Sequence, residues 1–399
     1  MSEREYCPTV SEHLIRKAIA SLNLTATVLY ANHSESVATC LLHTHDGEIA
    51  SEGAGKGQHC LIGALAESVE HYVMQQGYTH AVASSTSEIR NQPALALDGI
   101  IGSLPGRPRE IDCAVMNCIQ TGEEVKVPLA LLQPDESVAA NLRKDTELSF
   151  LTRYSTNSGA AFGCSKNEAL LHGLNEVIER HILSKLFMSV CGQHDGLALN
   201  TLTASTLDDI FSELPSFTPL AKEMKIFYCE SIFGTFFSIA IPKRPKGRHP
   251  ICPVGSGCSI DLITAIQRST TELAQALELF DETEKAMDEK AYDLLDPCPK
   301  LRPLIKLDTL RNKIVDNSRL PPTTTLTVEQ QVHTLTQRLS QVGFRPLFRR
   351  LAQLADGCMV TQVYIPGFER FNLIRSGSPV VPQRHLWSVR PVTQDGETI

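Results

Sequence analysis

The chain has 399 residues, of which 42% are hydrophobic and 21% are charged, so a disordered or fibrous protein is excluded. The formal net charge of −8 argues against a general nucleic-acid binder, because such proteins carry an excess of Lys and Arg. Apolar runs are too short to span a bilayer, and the N-terminus lacks the pattern of a secretory signal. We therefore expect a cytoplasmic protein without a membrane or nucleic-acid partner.

In chain order, the residue pattern predicts helices and strands in irregular alternation. Helices are predicted over residues 10–22, 61–76, 165–190, 261–287 and 327–341. Strands are predicted over residues 26–30, 37–43, 226–229, 234–241 and 360–365, with a hairpin from 115–120 to 124–131. The Gly-containing segments 53–57, 159–163 and 255–257 precede three of these helices and are predicted to be loops. Without a regular β-α-β rhythm, the expected class is mixed α+β.

The twelve cysteines show neither a Cys-x-x-Cys pair nor the Cys/His spacing of a zinc site. In a long chain without a signal peptide, they are expected to be reduced thiols that pack as small hydrophobic residues. A single reactive thiol is the alternative.

Three of the predicted helices carry acidic residues beside their apolar stripe. These residues are Glu67 and Glu70, Glu176 and Glu179, and Glu272. Residues three or four apart share a helix face, so each helix directs its acidic groups to one side. Because clustered carboxylates need cations, and Mg²⁺ commonly combines one or two carboxylates with phosphates, the pattern predicts a metal-held nucleotide site. Ordinary solvent-facing glutamates are the alternative.

Residues 61–73 and 170–182 align weakly, since apolar and acidic positions coincide in both segments. This similarity predicts two weakly repeated units that together form the ATP site. Known nucleotide motifs are absent: the P-loop fails because Gly57 follows Lys56 where Ser or Thr is required.

Several short motifs, taken together, resemble those of the YcaO family over roughly residues 50–385. They are Gly55-Lys-Gly57, Glu67-x-x-Glu70, Asn157-Ser-Gly159, Gly163 to Glu168, Glu176-x-x-Glu179-Arg180, Gly255-x-Gly257, Arg268-x₃-Glu272-x₂-Gln275 and Val363 to Glu369. The resemblance implies the ATP-binding YcaO fold, with mixed β-sheets flanked by long helices. It also implies an ATP- and Mg²⁺-dependent enzyme that phosphorylates a backbone amide oxygen of a peptide.

In that family the activated amide is attacked by a Cys, Ser or Thr side chain to give an azoline, by sulfide to give a thioamide, or by an amine. The resemblance implies azoline or thioamide formation in modified-peptide biosynthesis, by a cyclodehydratase or a thioamide synthetase. The partners it implies are a precursor peptide and a separate protein that delivers the peptide or sulfur, and homodimerisation stays open.

The resemblance also assigns roles to individual residues. Metal binding falls to Glu67, Glu70, Glu176, Glu179 and Glu272. Nucleotide or phosphate contacts fall to Lys56, Glu168, Arg180 and Arg268, and the residues placed at the reacting centre are Arg268 and Gln275. The implied organisation is an N-terminal helix and hairpin over 1–49, a catalytic domain over 50–385 and a tail over 386–399.

Some positions depart from the family pattern. Cys164 stands where Asn is usual, His71 where Arg is frequent and Gly63 where Ser is common, and the C-terminus lacks the alternating prolines of azoline-forming members. A non-catalytic scaffold that has kept the fold is therefore the alternative to an enzyme. A carboxylate–amine ligase is a more remote alternative, because no ATP-grasp-like glycine loop is present.

Overall fold

The computed structural model describes residues 3–76, 81–215, 217–244, 247–308, 310, 320 and 323–387. Most of the predicted C-terminal tail over 386–399 lies outside these ranges. The strands, in chain order, are β1 Thr25–Tyr30, β2 Val37–His43, β3 Ile49–Lys56, β4 Val82–Ser85, β5 Glu110–Cys118, β6 Glu124–Pro128, β7 Ala160–Gly163, β8 Asn200–Thr201, β9 Met224–Glu230, β10 Phe236–Pro242, β11 Gly255–Ser259, β12 Leu347–Gln353 and β13 Met359–Tyr364.

The strands form three separate sheets, in which neighbouring strands run antiparallel. The first has the order β1-β2-β3, and the second has the order β11-β10-β9-β8. The third has the order β4-β5-β12-β13-β7, with β6 also paired to β5 as the predicted hairpin. Helices are interspersed among them, so the α+β class expected from the sequence is confirmed.

Helices cover and separate the sheets. They are α1 Pro8–Ser21, α2 Cys60–Gln75, α3 Thr86–Arg90, α4 Gly99–Gly102, α5 Glu136–Arg143, α6 Lys166–Val190, α7 Ala204–Ile210, α8 Thr218–Lys222, α9 Leu262–Glu278, α10 Glu282–Leu295, α11 Pro303–Lys306, α12 Val328–Gln341 and α13 Gln383–Trp387. The longest of them, α6, is buried along most of its length. No helix in the described ranges is both long and apolar enough to cross a membrane.

Three units of one strand followed by one helix, β3–α2, β7–α6 and β11–α9, come from three different sheets. The prediction of loops for the Gly-containing segments before these helices is wrong in large part, because β3, β7 and β11 are built from them. The strand glycines are Gly53, Gly55, Gly163, Gly255 and Gly257. A Cβ at Gly55 would overlap the backbone of Cys60 in α2. The glycines thus allow each strand to lie directly against its helix.

The helix predicted over 261–287 is divided in the structure. Helix α9 ends at Glu278, and α10 begins at Glu282. The Asp281 side chain accepts hydrogen bonds from the backbone N–H groups of Thr283 and Glu284, both at 2.9 Å, and so caps a new helix. The twelve cysteines are free thiols and most are buried, as expected.

Candidate active site

The three acidic helices meet, and each carboxylate set is tied to the strand of the next unit. The contacts are Glu70 Oε2 with the backbone N–H of Phe162 in β7 at 3.1 Å, Glu179 Oε1 with the hydroxyl of Ser256 in β11 at 2.6 Å, and Glu272 Oε2 with the ammonium of Lys56 in β3 at 2.9 Å. The first unit thus contacts the second, the second contacts the third, and the third returns to the first. This closed ring of contacts joins the three units through Glu70, Glu179 and Glu272.

Two cations lie among the carboxylates. Besides the Lys56 contact, the Arg180 guanidinium lies 3.8 Å from Glu176 Oε1 and 4.0 Å from Glu179 Oε1. Glu176 Oε2 also accepts the backbone N–H of Gly159 at 3.1 Å, next to β7. The fifth glutamate, Glu67, lies 3.7 Å from His71 Nε2. The glutamates therefore outnumber Lys56 and Arg180, which leaves an excess of negative charge.

Burial and mutual repulsion change the acidity of the glutamates. Burial, together with the charges of Glu176 and Glu67, raises the pKa of Glu70 well above its usual value. Burial also raises the pKa of Glu67, Glu176 and Glu179, and the charge of Glu272 adds to each shift. The ionised forms of these four groups are therefore disfavoured, and a bound cation would relieve this cost.

Glu272 behaves differently from the other four acidic groups. Burial would raise its pKa, but the charges of Lys56 and Arg180 outweigh burial and lower it. Glu272 therefore stays ionised.

The donor set fits Mg²⁺ and a triphosphate. Its acidic groups offer hard oxygen atoms, which Mg²⁺ prefers. Lys56 and Arg180 are cations that can bind phosphate oxygens. In the described part of the chain, no three His, Cys, Asp or Glu side chains already form a metal cage. Mg²⁺ usually takes one or two carboxylates and completes its shell with water and substrate phosphates.

Two predicted nucleotide-contact residues pair instead with the N-terminal segment. Glu168, fully buried, forms an ion pair with Arg4 at 2.5 Å. Arg268 forms an ion pair with Glu3 and donates to the carbonyl oxygen of Cys258 at 3.0 Å. The sequence pattern gave no sign of Glu3 or Arg4, because neither belongs to a periodic or spaced motif.

The Glu3 carboxylate is itself surrounded by donors. Its Oε1 accepts from Asn175 Nδ2 at 3.1 Å and from the Ser259 hydroxyl at 2.5 Å, while Arg268 reaches Oε2. With Glu3 only 5% exposed, this is an anion site filled by the chain's own side chain.

Gln275 lines a cavity of about 440 Å³ that Arg180, Ser256 and Glu272 of the acidic ring also line. The three departures from the family pattern have local explanations. His71 contacts the carbonyl oxygen of Glu52 at 2.7 Å, and a Cβ at Gly63 would lie 3.2 Å from Gly55 Cα. Cys164 is buried beside the N-terminal helix.

Comparison with known proteins bears on the fold and the family. A family model described as YcaO cyclodehydratase, ATP- and Mg²⁺-binding, matches residues 54–369. No curated protein sequence matches the chain.

Solved structures share the fold at low sequence identity. YcaO from Methanopyrus kandleri, bound with AMPPCP and Mg²⁺, is 17% identical with a TM-score of 0.62, and the match covers 95% of this chain and 96% of that chain. A heterocyclase in complex with substrate and cofactor is 18% identical with a TM-score of 0.64, over 92% of this chain. The match covers 54% of the heterocyclase, so this chain spans about half its length.

The E. coli microcin synthetase McbBCD complex is 14% identical with a TM-score of 0.58, over 87% of this chain and 88% of that chain. These likenesses confirm the fold expected from the sequence. Because the family model covers most of the chain, including all five clustered glutamates, the chain belongs to the YcaO family, whose cofactors are ATP and Mg²⁺.

Proposed function

We propose that the protein is an ATP- and Mg²⁺-dependent enzyme that activates a peptide backbone amide by phosphorylating its oxygen. The observation that carries this proposal is the ring of contacts made by Glu70, Glu176, Glu179 and Glu272 from three strand–helix units, with Lys56 and Arg180 among them. Glu67 lies near enough for the charges of Lys56 and Glu272 to act on it. Phosphoryl transfer depends mainly on charge neutralisation and alignment, which such a ring provides. The family match supports the same reading.

Each residue has a part in the proposal. Bound ATP and Mg²⁺ would supply the phosphoryl group and neutralise its charge. The metal would be held by Glu67, Glu70, Glu176, Glu179 and Glu272, and the nucleotide would be contacted by Lys56 and Arg180. Glu168 and Arg268 would also contact the nucleotide, in place of their partners Arg4 and Glu3. Arg268 and Gln275 are the residues proposed to act at the reacting centre. The site must also exclude water, because an activated amide would otherwise hydrolyse.

The activated amide would then be attacked by a side-chain Cys, Ser or Thr to give an azoline, or by sulfide to give a thioamide, with release of phosphate. The proposed partners are a precursor peptide and a second protein that delivers the peptide or the sulfur. The named components of the microcin synthetase complex support a multi-protein arrangement by analogy. The cytoplasmic location remains a prediction.

The test replaces Glu179 or Glu272 with Gln and measures Mg²⁺-dependent ATP turnover. We expect each change to lower turnover about a hundredfold, because it would remove a ligand of the Mg²⁺ that stabilises the charge on the transferred phosphoryl group. The matched control is Glu278→Gln, since Glu278 lies on α9 like Glu272 but is exposed. Wild-type turnover in both the Glu179→Gln and the Glu272→Gln variant would show that the site is assigned wrongly.

Two ion pairs favour the scaffold alternative, because they engage residues proposed to contact the nucleotide. Arg4 pairs with Glu168, and Glu3 pairs with Arg268. Titration calorimetry with ATP and Mg²⁺ separates the two functions. If wild-type protein binds no nucleotide at millimolar concentration, the chain is a scaffold and the enzyme proposal fails.

A further inference from the structure

Two of the twelve free cysteines, Cys164 and Cys358, lie opposite each other at one end of the strand pair β7–β13. The antiparallel register ends with Met359 opposite Gly163. One step further along this register, Cys358, which precedes β13, lies opposite Cys164, which follows β7. Directly opposite residues of an antiparallel pair have Cα atoms about 4.5–5.5 Å apart. Disulfides form at Cα separations of about 4.4–6.8 Å, so the backbone places the two cysteines within range.

The side chains of both cysteines lie on the same side of the sheet. Opposite residues of an antiparallel pair share a face, and so do residues two apart on one strand. Phe162 and Val360 are opposite each other, two residues before Cys164 and two residues after Cys358. All four belong to one buried hydrophobic cluster. The pairing of the two cysteines therefore continues the pairing of Phe162 with Val360 on one face.

Helix α1 covers both thiols. Cys164 Sγ lies 3.9 Å from the backbone carbonyl oxygen of Ser11, and Cys358 Sγ lies 3.8 Å from that of Leu14. Ser11 and Leu14 are three residues apart and so share one face of the helix. The two thiols also form a hydrogen bond with each other. The strand register, the contacts with α1 and this hydrogen bond thus agree that the two sulfur atoms are neighbours.

The hydrogen bond between the thiols shifts their pKa values in opposite directions. It raises the pKa of Cys164, to which burial adds, and it lowers the pKa of Cys358. A lowered pKa favours the thiolate, which is the nucleophile in thiol oxidation. Cys358 is therefore the thiol that reacts first with an oxidant, and Cys164 is placed to react with the product.

Local opening of α1 would give an oxidant access to the pair, which is otherwise buried. Four of the fourteen residues of α1 are buried, and its N-cap residue, Cys7, makes no side-chain cap. A helix with few buried residues and an uncapped end opens at a lower free-energy cost than the core elements do.

We propose that Cys164 and Cys358 form a reversible disulfide, which hydrogen peroxide produces when α1 opens. The Cys358 sulfur attacks one peroxide oxygen and the O–O bond breaks, which gives a sulfenic acid, while the leaving hydroxide takes up the thiol proton as water. The Cys164 sulfur then attacks the Cys358 sulfur, and the sulfenic oxygen leaves with the Cys164 proton as a second water. The two sulfurs together lose two electrons, which the peroxide gains.

The disulfide would join β7 to β13, and a thiol reductant would reverse it by exchange. In reducing surroundings both cysteines stay free, as they are in this structure. The proposal does not depend on the proposed function, because it concerns the two thiols alone.

Mass spectrometry of the oxidised full chain tests the proposal. The protein is treated with hydrogen peroxide, the remaining thiols are blocked with N-ethylmaleimide in denaturant, and linked peptides are identified after digestion. We expect the Cys164–Cys358 link to be about tenfold more abundant than any other cysteine link, because this pair lies within disulfide range in the folded chain. Dithiothreitol should remove the link, and Cys164→Ala or Cys358→Ala should abolish it.

Cys40 and Cys60 are the internal control, because they belong to the same buried cluster. Cys40 contacts the Ser68 hydroxyl at 3.3 Å, and Cys60 contacts the carbonyl oxygen of Glu35 at 2.9 Å. Both should still be blocked by N-ethylmaleimide after the peroxide treatment.

A second pair of variants tests the role of α1. Ile15→Ala weakens the packing of α1, because Ile15 is buried on its core-facing side, and should speed formation of the link about tenfold. Leu335→Ala is the matched control, because Leu335 is equally buried but lies on α12 in a different cluster. It should leave the rate of link formation unchanged.

The proposal is overturned if the Cys164–Cys358 link forms in neither wild-type protein nor the Ile15→Ala variant, or if it is no more abundant than other cysteine links. Equal acceleration by Ile15→Ala and Leu335→Ala would also overturn it, because the link would then form only after the whole protein unfolds.

Discussion

Arg268 shows how one residue can satisfy a motif and still be engaged elsewhere. Its spacing from Glu272 and Gln275 identified it from the sequence, yet its guanidinium contacts the carboxylate of Glu3. A carboxylate and a phosphate oxygen make the same kind of charge-assisted hydrogen bond to arginine. A phosphate that is to reach Arg268 must therefore compete with Glu3.

We predict that Glu3→Gln strengthens the binding of the ATP analogue with Mg²⁺ about three- to tenfold. The amide can still bond to Asn175 and Ser259, but it loses the charge that pairs with Arg268. Titration calorimetry measures the change.

The control for this prediction is Glu5→Gln, which removes the same charge from an exposed position two residues later. If Glu3→Gln weakens nucleotide binding, then Glu3 positions Arg268 for the nucleotide rather than competing with it.

The strand–helix units show at the level of elements what a residue pattern can and cannot predict. The positions of α2 and α6 were predicted to within a residue or two, because their apolar residues follow the helical period over several turns. The residue pattern predicts loops for the glycine-containing parts of β3, β7 and β11, because glycine lowers strand propensity. Their glycines reflect close tertiary packing, which becomes visible only when the facing helix is placed.

The sequence predicts the part of the site that lies at helical spacing, but it does not predict the residues that reach the site through tertiary packing. Acidic residues at helical spacing point to α2, α6 and α9, whereas Ser256 and Glu3 reach the site residues by tertiary contacts alone. No local spacing marks such residues.

We predict that Gly55→Ala lowers the free energy of unfolding by at least about 1 kcal/mol. The new Cβ would overlap backbone atoms of Cys60 and Ala64, which cannot move without shifting α2. Urea denaturation followed by circular dichroism measures the loss.

Gly106→Ala is the control, because the nearest atom to its new Cβ is 3.7 Å away, at the end of the Arg90 side chain. Its stability should stay within about 0.5 kcal/mol of wild type. Equal stability of the Gly55 and Gly106 variants would mean that β3 and α2 are not packed as closely as described.

For the whole molecule, the ring ties three sheets together through groups that repel one another. Burial and neighbouring charge raise the pKa of Glu67, Glu70, Glu176 and Glu179, so the free protein bears a cost in keeping them ionised. A ligand that binds only the folded state stabilises it by RT ln(1 + [L]/Kd), about 2.7 kcal/mol at one hundred times Kd. A ligand that relieves the repulsion among these glutamates should therefore raise the free energy of unfolding of the whole protein.

We predict that ATP and Mg²⁺ together raise the melting temperature by at least a few degrees, as measured by differential scanning calorimetry. ATP with excess EDTA should give clearly less, because the triphosphate would then face uncompensated carboxylates. The double variant Glu67→Gln, Glu176→Gln removes two of the repelling charges. Without ligand it should be at least as stable as wild type, and it should lose most of the Mg²⁺-dependent gain. If the ligand-free double variant is instead much less stable, these glutamates serve as structural ion-pair partners, and the metal-site assignment has to be abandoned.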